Sequence, residues 1–137
     1  SEKETIYVDI EKGVDNNEKI TIENKGNIIN NKSGNINVFI IVDNNTPFIR
    51  NGLDLIYNKN ITFKESLCGF SFNIKYIDNR EFKINSKSGD IISNNQEKII
   101  PNLGIKRNNK TGSLIIKFNV DECVLTEEQL KTIQNIL

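Results

Sequence analysis

The chain reads as a mostly β protein: two related small β-sandwich units, the first one truncated, followed by a short C-terminal helix. Three observations predict this. Apolar residues alternate with period two along most segments, as half-buried strands require. Two stretches 78 positions apart, starting at Ile22 and Ile100, repeat one another. Helical spacing with a capping signal is strongest at the C-terminal end.

The repeat runs I-x-N-x-G, N-N-K-x-G and then an alternating apolar strand in both copies. It pairs Ile22 with Ile100, Asn24 with Asn102, Gly26 with Gly104, Lys32 with Lys110, Gly34 with Gly112 and Val42 with Val120. Upstream, with one residue inserted, Asn16 and Glu18-Lys19-Ile20 match Asn95 and Glu97-Lys98-Ile99. Two copies of one small β unit is the economical account. Copy two is preceded by the segment from Gly52 to Glu81, and copy one has no equivalent, so the chain is expected to be a fragment of something longer.

Taken in order, Ile6, Val8 and Ile10 alternate, and Ile20 and Ile22 follow a turn over Gly13 to Asn17. Ile36, Val38, Ile40 and Val42 make a strong strand. Asp43 to Pro47 reads as a linker. A short strand about Leu53 to Tyr57 and another near Ile61 are expected, then one helical turn from Thr62 to Leu67 with Glu65 completing a capping box. Phe70, Phe72, Ile74 and Tyr76 line one strand face, and Asp78-Asn79 turns into Phe82 and Ile84. Ile99-Ile100 and Leu114 to Val120 finish the sheet. Asn-Asn pairs at 16-17, 44-45, 94-95 and 108-109 fall where turns are expected, because Asn tolerates left-handed backbone.

The end differs. Thr126 and Gln129 form a second capping box, and Glu127 and Glu128 suit the helix dipole. Leu130, Ile133, Ile136 and Leu137 then share one face. A helix this short is marginal alone, so its stripe must dock, either on its own sheet or on a second copy of the chain. The domain scheme is thus 1–43 for the first unit, 44–52 for a linker, 53–122 for the second unit and 123–137 for the helix.

Among 137 residues, 18 basic and 18 acidic side chains balance, so no electrostatic footprint for nucleic acid or an anionic membrane is expected. No apolar run approaches a membrane span, and the charged start does not resemble a signal peptide. With no histidine, Ser-His-Asp and Cys-His catalysis and His-bearing zinc sites are excluded. The acidic residues scatter without a hydrolase constellation, and no glycine-rich phosphate loop is present. An enzyme, a cofactor and a metal are therefore not expected. Cys68 and Cys123 lack metal-ligand spacing and read as small buried hydrophobes in a reducing compartment.

Three stretches carry a family resemblance. Phe48-Ile49-Arg50-Asn51-Gly52-Leu53-Asp54-Leu55 resembles F-x-R-D-G-x-D-L, with Asn51 for Asp. Thr62 to Phe70 resembles S-[FL]-x-E-A-L-x-G, with Asp78-Asn79-Arg80 standing for D-G-[RK]. Thr111 to Phe118 resembles G-D-L-[IY]-[VI]-x-[FY], with Ser113 for Asp. Together they resemble the C-terminal region of J-domain co-chaperones, the DnaJ or heat-shock-protein-forty family, and more the zinc-free class, since the chain ends directly after the helix. The resemblance implies two successive β domains, a dimerisation helix carrying Leu130, Ile133, Ile136 and Leu137, and a homodimer. It implies a cytoplasmic co-chaperone that holds unfolded client polypeptides for a DnaK-type heat-shock-protein-seventy chaperone. A non-catalytic structural or adhesive β-sandwich module is the alternative.

Comparing the copies marks a surface. The outward positions Lys117 and Asn119 of copy two correspond to Phe39 and Ile41 in copy one. A polar face has become apolar, and something must cover it. The missing half of the first unit, or a helix, would do so; so would an extended peptide. The resemblance assigns peptide binding to the first β domain and implies that Phe39, with Ile41 beside it, belongs to the groove.

Overall fold

A computed structural model describes residues 3, 5–23, 28–29, 32–87 and 89–137, with backbone alone at 28–29 and 32–33. Asn24 and Gly26 of the repeat therefore lie outside the described residues. The protein is mostly β, with several small sheets and a short C-terminal helix.

Strand β1 (Lys19–Ile22) pairs antiparallel with β4 (Ile36–Phe39), and between them β2 (Ile28–Ile29) pairs with β3 (Lys32–Ser33). Next come β5 (Phe48–Asn51), β6 (Asp54–Ile61), helix α1 (Phe63–Cys68), and the hairpin of β7 (Ser71–Lys75) with β8 (Glu81–Asn85). Strands β9 (Glu97–Ile100), β10 (Lys106–Arg107), β11 (Lys110–Thr111) and β12 (Leu114–Val120) follow, then α2 (Glu127–Ile136). One four-stranded sheet has the order β5-β6-β12-β9, so β9 is an edge strand. By its contacts the chain forms two compact units, one of residues 1–55 and 100–114, the other of residues 56–99 and 115–137.

The repeat is physical, and its register is simpler than the letters suggest. Strands β1, β2, β3 and β4 reappear 78 positions later as β9, β10, β11 and the start of β12. The same spacing holds upstream with no insertion. Asn17 N–H donates to Ile40 O and Ile40 N–H to Glu18 O, while Asn95 N–H donates to Phe118 O and Phe118 N–H to Gln96 O. Val42 N–H donates to Asn16 Oδ1 and Val120 N–H to Asn94 Oδ1, both at 2.9 Å. Asp15 N–H donates to Glu18 Oε1, and Ser93 N–H to Gln96 Oε1. Glu18 therefore corresponds to Gln96, not to Glu97. Glu and Gln share the acceptor that this turn needs, which matching of letters overlooks.

Local signals form as expected. Thr62 and Thr126 cap α1 and α2 with reciprocal bonds to Glu65 and Gln129. Asn17, Asn79, Asn95, Asn108 and Asn109 all adopt positive φ at turns. Three expectations shift. Residues 6–10 form no strand, because alternation without a hydrogen-bonded neighbour does not make one. The two short strands expected around Tyr57 and Ile61 are the single strand β6, which carries the polar run Asn58 to Asn60; there Lys59 Nζ sits 4.7 Å from the centroid of the Phe72 ring. Cys68 and Cys123 are free thiols but exposed, Cys68 ending α1 and Cys123 lying on the approach to α2.

In the unit of residues 56–99 and 115–137, Ile61, Ile74, Ile84, Ile116 and Phe118 are buried, and the Phe70 ring packs 5.2 Å from that of Phe118. Burying each such side chain is worth ~1.5–3 kcal/mol. In the other unit the Leu53 carbonyl accepts from Ile105 N–H at 2.7 Å, Gly104 N–H donates to Gly112 O and Gly112 N–H to Ile105 O. A Cβ on Gly112 would stand 2.0 Å from Leu53 O, and one on Gly104 2.4 Å, so the repeat's glycines in copy two are required by close backbone approach.

Gly112→Ala is therefore expected to lower stability by about 1–3 kcal/mol or more, the cost of forcing atoms into filled space. Gly89→Ala, where a Cβ meets nothing within 4 Å and only the positive φ of 88° opposes a side chain, should cost less. Urea unfolding of both variants checks this, and equal midpoints would refute the close approach.

Candidate functional site

The register of β1 with β4 sorts side chains by face. Ile20, Ile22, Ile36 and Val38 are half-buried on one side. The other side presents Lys19 opposite Phe39 and Thr21 opposite Asn37, where Thr21 Oγ1 donates to Asn37 Oδ1 at 3.1 Å. On that face Phe39 is 63% exposed, and Ile41, just past the strand, is 84% exposed. Their counterparts on β12, Lys117 and Asn119, are half-buried. An aromatic ring and a branched aliphatic side chain thus stand in solvent where copy two has polar groups.

Glu18 holds the end of this strand. Its backbone carbonyl accepts from Ile40 N–H at 2.9 Å, and its carboxylate takes a two-pronged bond from Arg107, 89 positions away, with Nη2 to Oε2 at 2.7 Å. Glu11 adds a second carboxylate 3.6 Å from Arg107 Nη2. Arg50 grips the same turn from another side, donating Nη1 to Val14 O at 2.7 Å and Nη2 to Gly13 O at 2.5 Å. The Arg107 bonds first, then the Asp15 N–H, hold the Glu18 carboxyl down at about 2, and Arg107 is raised in turn.

The apolar residues of α2 remain open on their own chain. No residue of the helix is buried: Leu130 is 47% exposed, Ile136 76% and Leu137 94%. Ile133 is half-buried and shares a shallow cleft with Leu125.

Sequence reasoning missed a third feature. A cleft of about 340 Å³ lies along edge strand β9, with Phe70, Ile84, Ile92 and Phe118 at its apolar wall, Ile99 exposed beside it, and Lys87, Asp90, Glu97 and Lys98 at its rim. Its residues come from four separate stretches, so only the single exposed Ile99 in β9 hinted at it. Ser86, which also lines the cleft, has its hydroxyl bonded to the Phe70 backbone. These surfaces offer exposed apolar side chains and, among the described residues, strands at sheet margins.

The family model described as "DnaJ C terminal domain" matches residues 1–122. "Chaperone protein dnaJ 2" of Arabidopsis thaliana is 34% identical over 143 residues, covering 100% of this chain and 34% of the relative. "DnaJ homolog subfamily A member 4" of Mus musculus is 33% identical, covering 99% and 36% respectively. "Chaperone protein DnaJ" of Borreliella burgdorferi is 35% identical, covering 85% and 32%. The chain spans about a third of the length of the curated relatives it matches.

The Glu18 geometry yields a pH dependence. A carboxyl depressed on folding contributes stability that is complete above its ordinary value of ~4.3 and is lost as pH falls through its folded value. The stability advantage of the natural chain over Glu18→Gln should thus be full at neutral pH and vanish towards about pH 2. Urea midpoints of both across that range check it, and an advantage undiminished at the acid end would contradict it.

Proposed function

The chain belongs to the DnaJ C-terminal domain family, and on that footing we propose that it is a co-chaperone segment that self-associates and holds unfolded client polypeptides for delivery to a DnaK-type heat-shock-protein-seventy chaperone. The single observation that carries the reading is the Phe39–Ile41 face. It is apolar, exposed, and joined to a strand that has one neighbour among the described residues, in the two-stranded sheet β1-β4. An extended client would add main-chain bonds along such an edge and lay alternate side chains on the ring. The activity is binding and release, with no covalent step. The domain scheme of 1–43, 44–52, 53–122 and 123–137 belongs to this proposal, as does a reducing, cytoplasmic setting, which two free exposed thiols suit. No helix among the described residues is long and apolar enough to cross a membrane.

Leu130, Ile133, Ile136 and Leu137 are the proposed dimer contact. Exposure of this stripe supports docking on a second copy over docking on the chain's own sheet. A two-fold axis lets the same stripe serve both partners. Burying each large aliphatic side chain contributes ~1.5–3 kcal/mol, so a few per protomer offset the entropy of association. A second reading places the client in the cleft beside β9 instead, favoured by the aromatic wall of Phe70 and Phe118.

Two outcomes are expected. The chain should suppress aggregation of a thermally unfolding reporter enzyme, and Phe39→Ser should weaken that suppression without lowering the melting temperature. Loss of stability in Phe39→Ser would make the ring a packing residue. Light scattering should give a dimer at tens of micromolar for the natural chain and a folded monomer for Ile136→Asp. A monomeric natural chain would end the dimer reading.

A further inference from the structure

The two copies build the same turn and then treat one position differently. Glu18 and Gln96 each accept a backbone N–H three residues back through Oε1, at 2.9 and 3.0 Å, and each carbonyl accepts the N–H of the strand it faces. Gln96 shows that an uncharged amide suffices to shape the turn. The negative charge at Glu18 is therefore surplus to the turn, and it is spent on Arg107. The strand tied to Glu18 is β4, which ends at Phe39 and runs on into Ile40 and Ile41.

We propose that Glu18 and Arg107 are positioning residues for the Phe39–Ile41 surface, tying copy one's exposed strand to the β10–β11 hairpin of copy two. This rests on the peptide-binding reading only for its functional consequence. The path is short: Arg107 fixes the Glu18 side chain, the Glu18 carbonyl fixes Ile40 N–H, and Phe39 and Ile41 flank Ile40 on the outer face. Arg50 is the second tie, held chiefly by bonds to the Gly13 and Val14 carbonyls, with Asp15 Oδ1 a longer 3.6 Å from its Nε. Gly13 lets the hairpin approach, since a Cβ there would stand 2.6 Å from Lys106 O and 2.8 Å from Arg107 Cβ. The ties respond differently to conditions. The ion pair weakens with salt, while bonds to carbonyls depend on salt less.

The clean test is Glu18→Gln, because it installs the residue that the equivalent turn already carries. In hydrogen exchange on the full chain, amides of residues 14–18, 40–42 and 105–112 should exchange roughly two- to fivefold faster, the range for a part-exposed ion pair. The equivalent turn at 93–96 and the β7–β8 hairpin should not change. Arg107→Gln should do the same, and the double variant should be no worse than either single, the mark of a coupled pair. Added salt should accelerate these amides more in the natural chain than in Glu18→Gln, which keeps the weaker Glu11–Arg107 and Asp15–Arg50 pairs. Unchanged exchange at residues 40–42, or acceleration throughout the chain, would overturn the proposal. An extended apolar peptide should also bind Glu18→Gln roughly two- to fivefold more weakly than the natural chain. If the natural chain binds no such peptide while the exchange pattern holds, the peptide-binding reading fails and the positioning of the strand stands.

Discussion

The end of each copy's long strand is held by a turn that bonds its own side chains back to backbone, and the rest of the architecture depends on that holder. An Asn side chain caps the strand's last amide, a Glu or Gln closes the turn, and two main-chain bonds clamp the strand between them. Each piece satisfies a backbone group that would otherwise go unpaired at a sheet margin. The left-handed Asn17 and Asn95, at φ 66 and 67, make the geometry affordable to the chain twice over.

The proposed function rests on how the copies depart from one another on this common frame. In copy two the strand lies between β6 and β9, and its core side chains Leu114, Ile116 and Phe118 are buried. In copy one the strand has a single neighbour among the described residues, its inner side chains are half-buried, and its outer face carries Phe39 and Ile41. Few buried contacts mean a locally low opening energy, which suits the proposed role of accepting extended polypeptides. The tie through Arg107 and Arg50 limits that freedom where the apolar side chains stand. Copy two thus supplies both a stable element and the cation that steadies its less stable twin.

Legibility in the sequence followed the range of the interaction. Both capping boxes, the Asn turns and the alternation of β12 were readable, because each involves neighbours within a few residues. The segment from Ile6 to Ile10 misled, since a strand is made by its partner and not by its pattern. Glu18 was paired with Glu97 by identity of letters, whereas hydrogen bonding equates it with Gln96. The thiols were expected inside, because a Cys is usually a small buried hydrophobe, yet both sit on exposed connections. The Glu18–Arg107 bond and the cleft beside β9 join residues too far apart for periodicity to reveal. Of the candidate site, Phe39 and Ile41 were found only because an internal copy provided the comparison.

The central claim is that the outer face of copy one, and not its twin on β12, receives an extended polypeptide. Mapping backbone amide resonances during titration with an unstructured apolar peptide tests it directly. The account predicts that shifts concentrate at Lys19, Thr21 and Phe39 to Val42, with Ile115 to Asn119 unmoved. Shifts confined to the cleft of Phe70, Ile84 and Ile99, or none at saturating peptide, would contradict it.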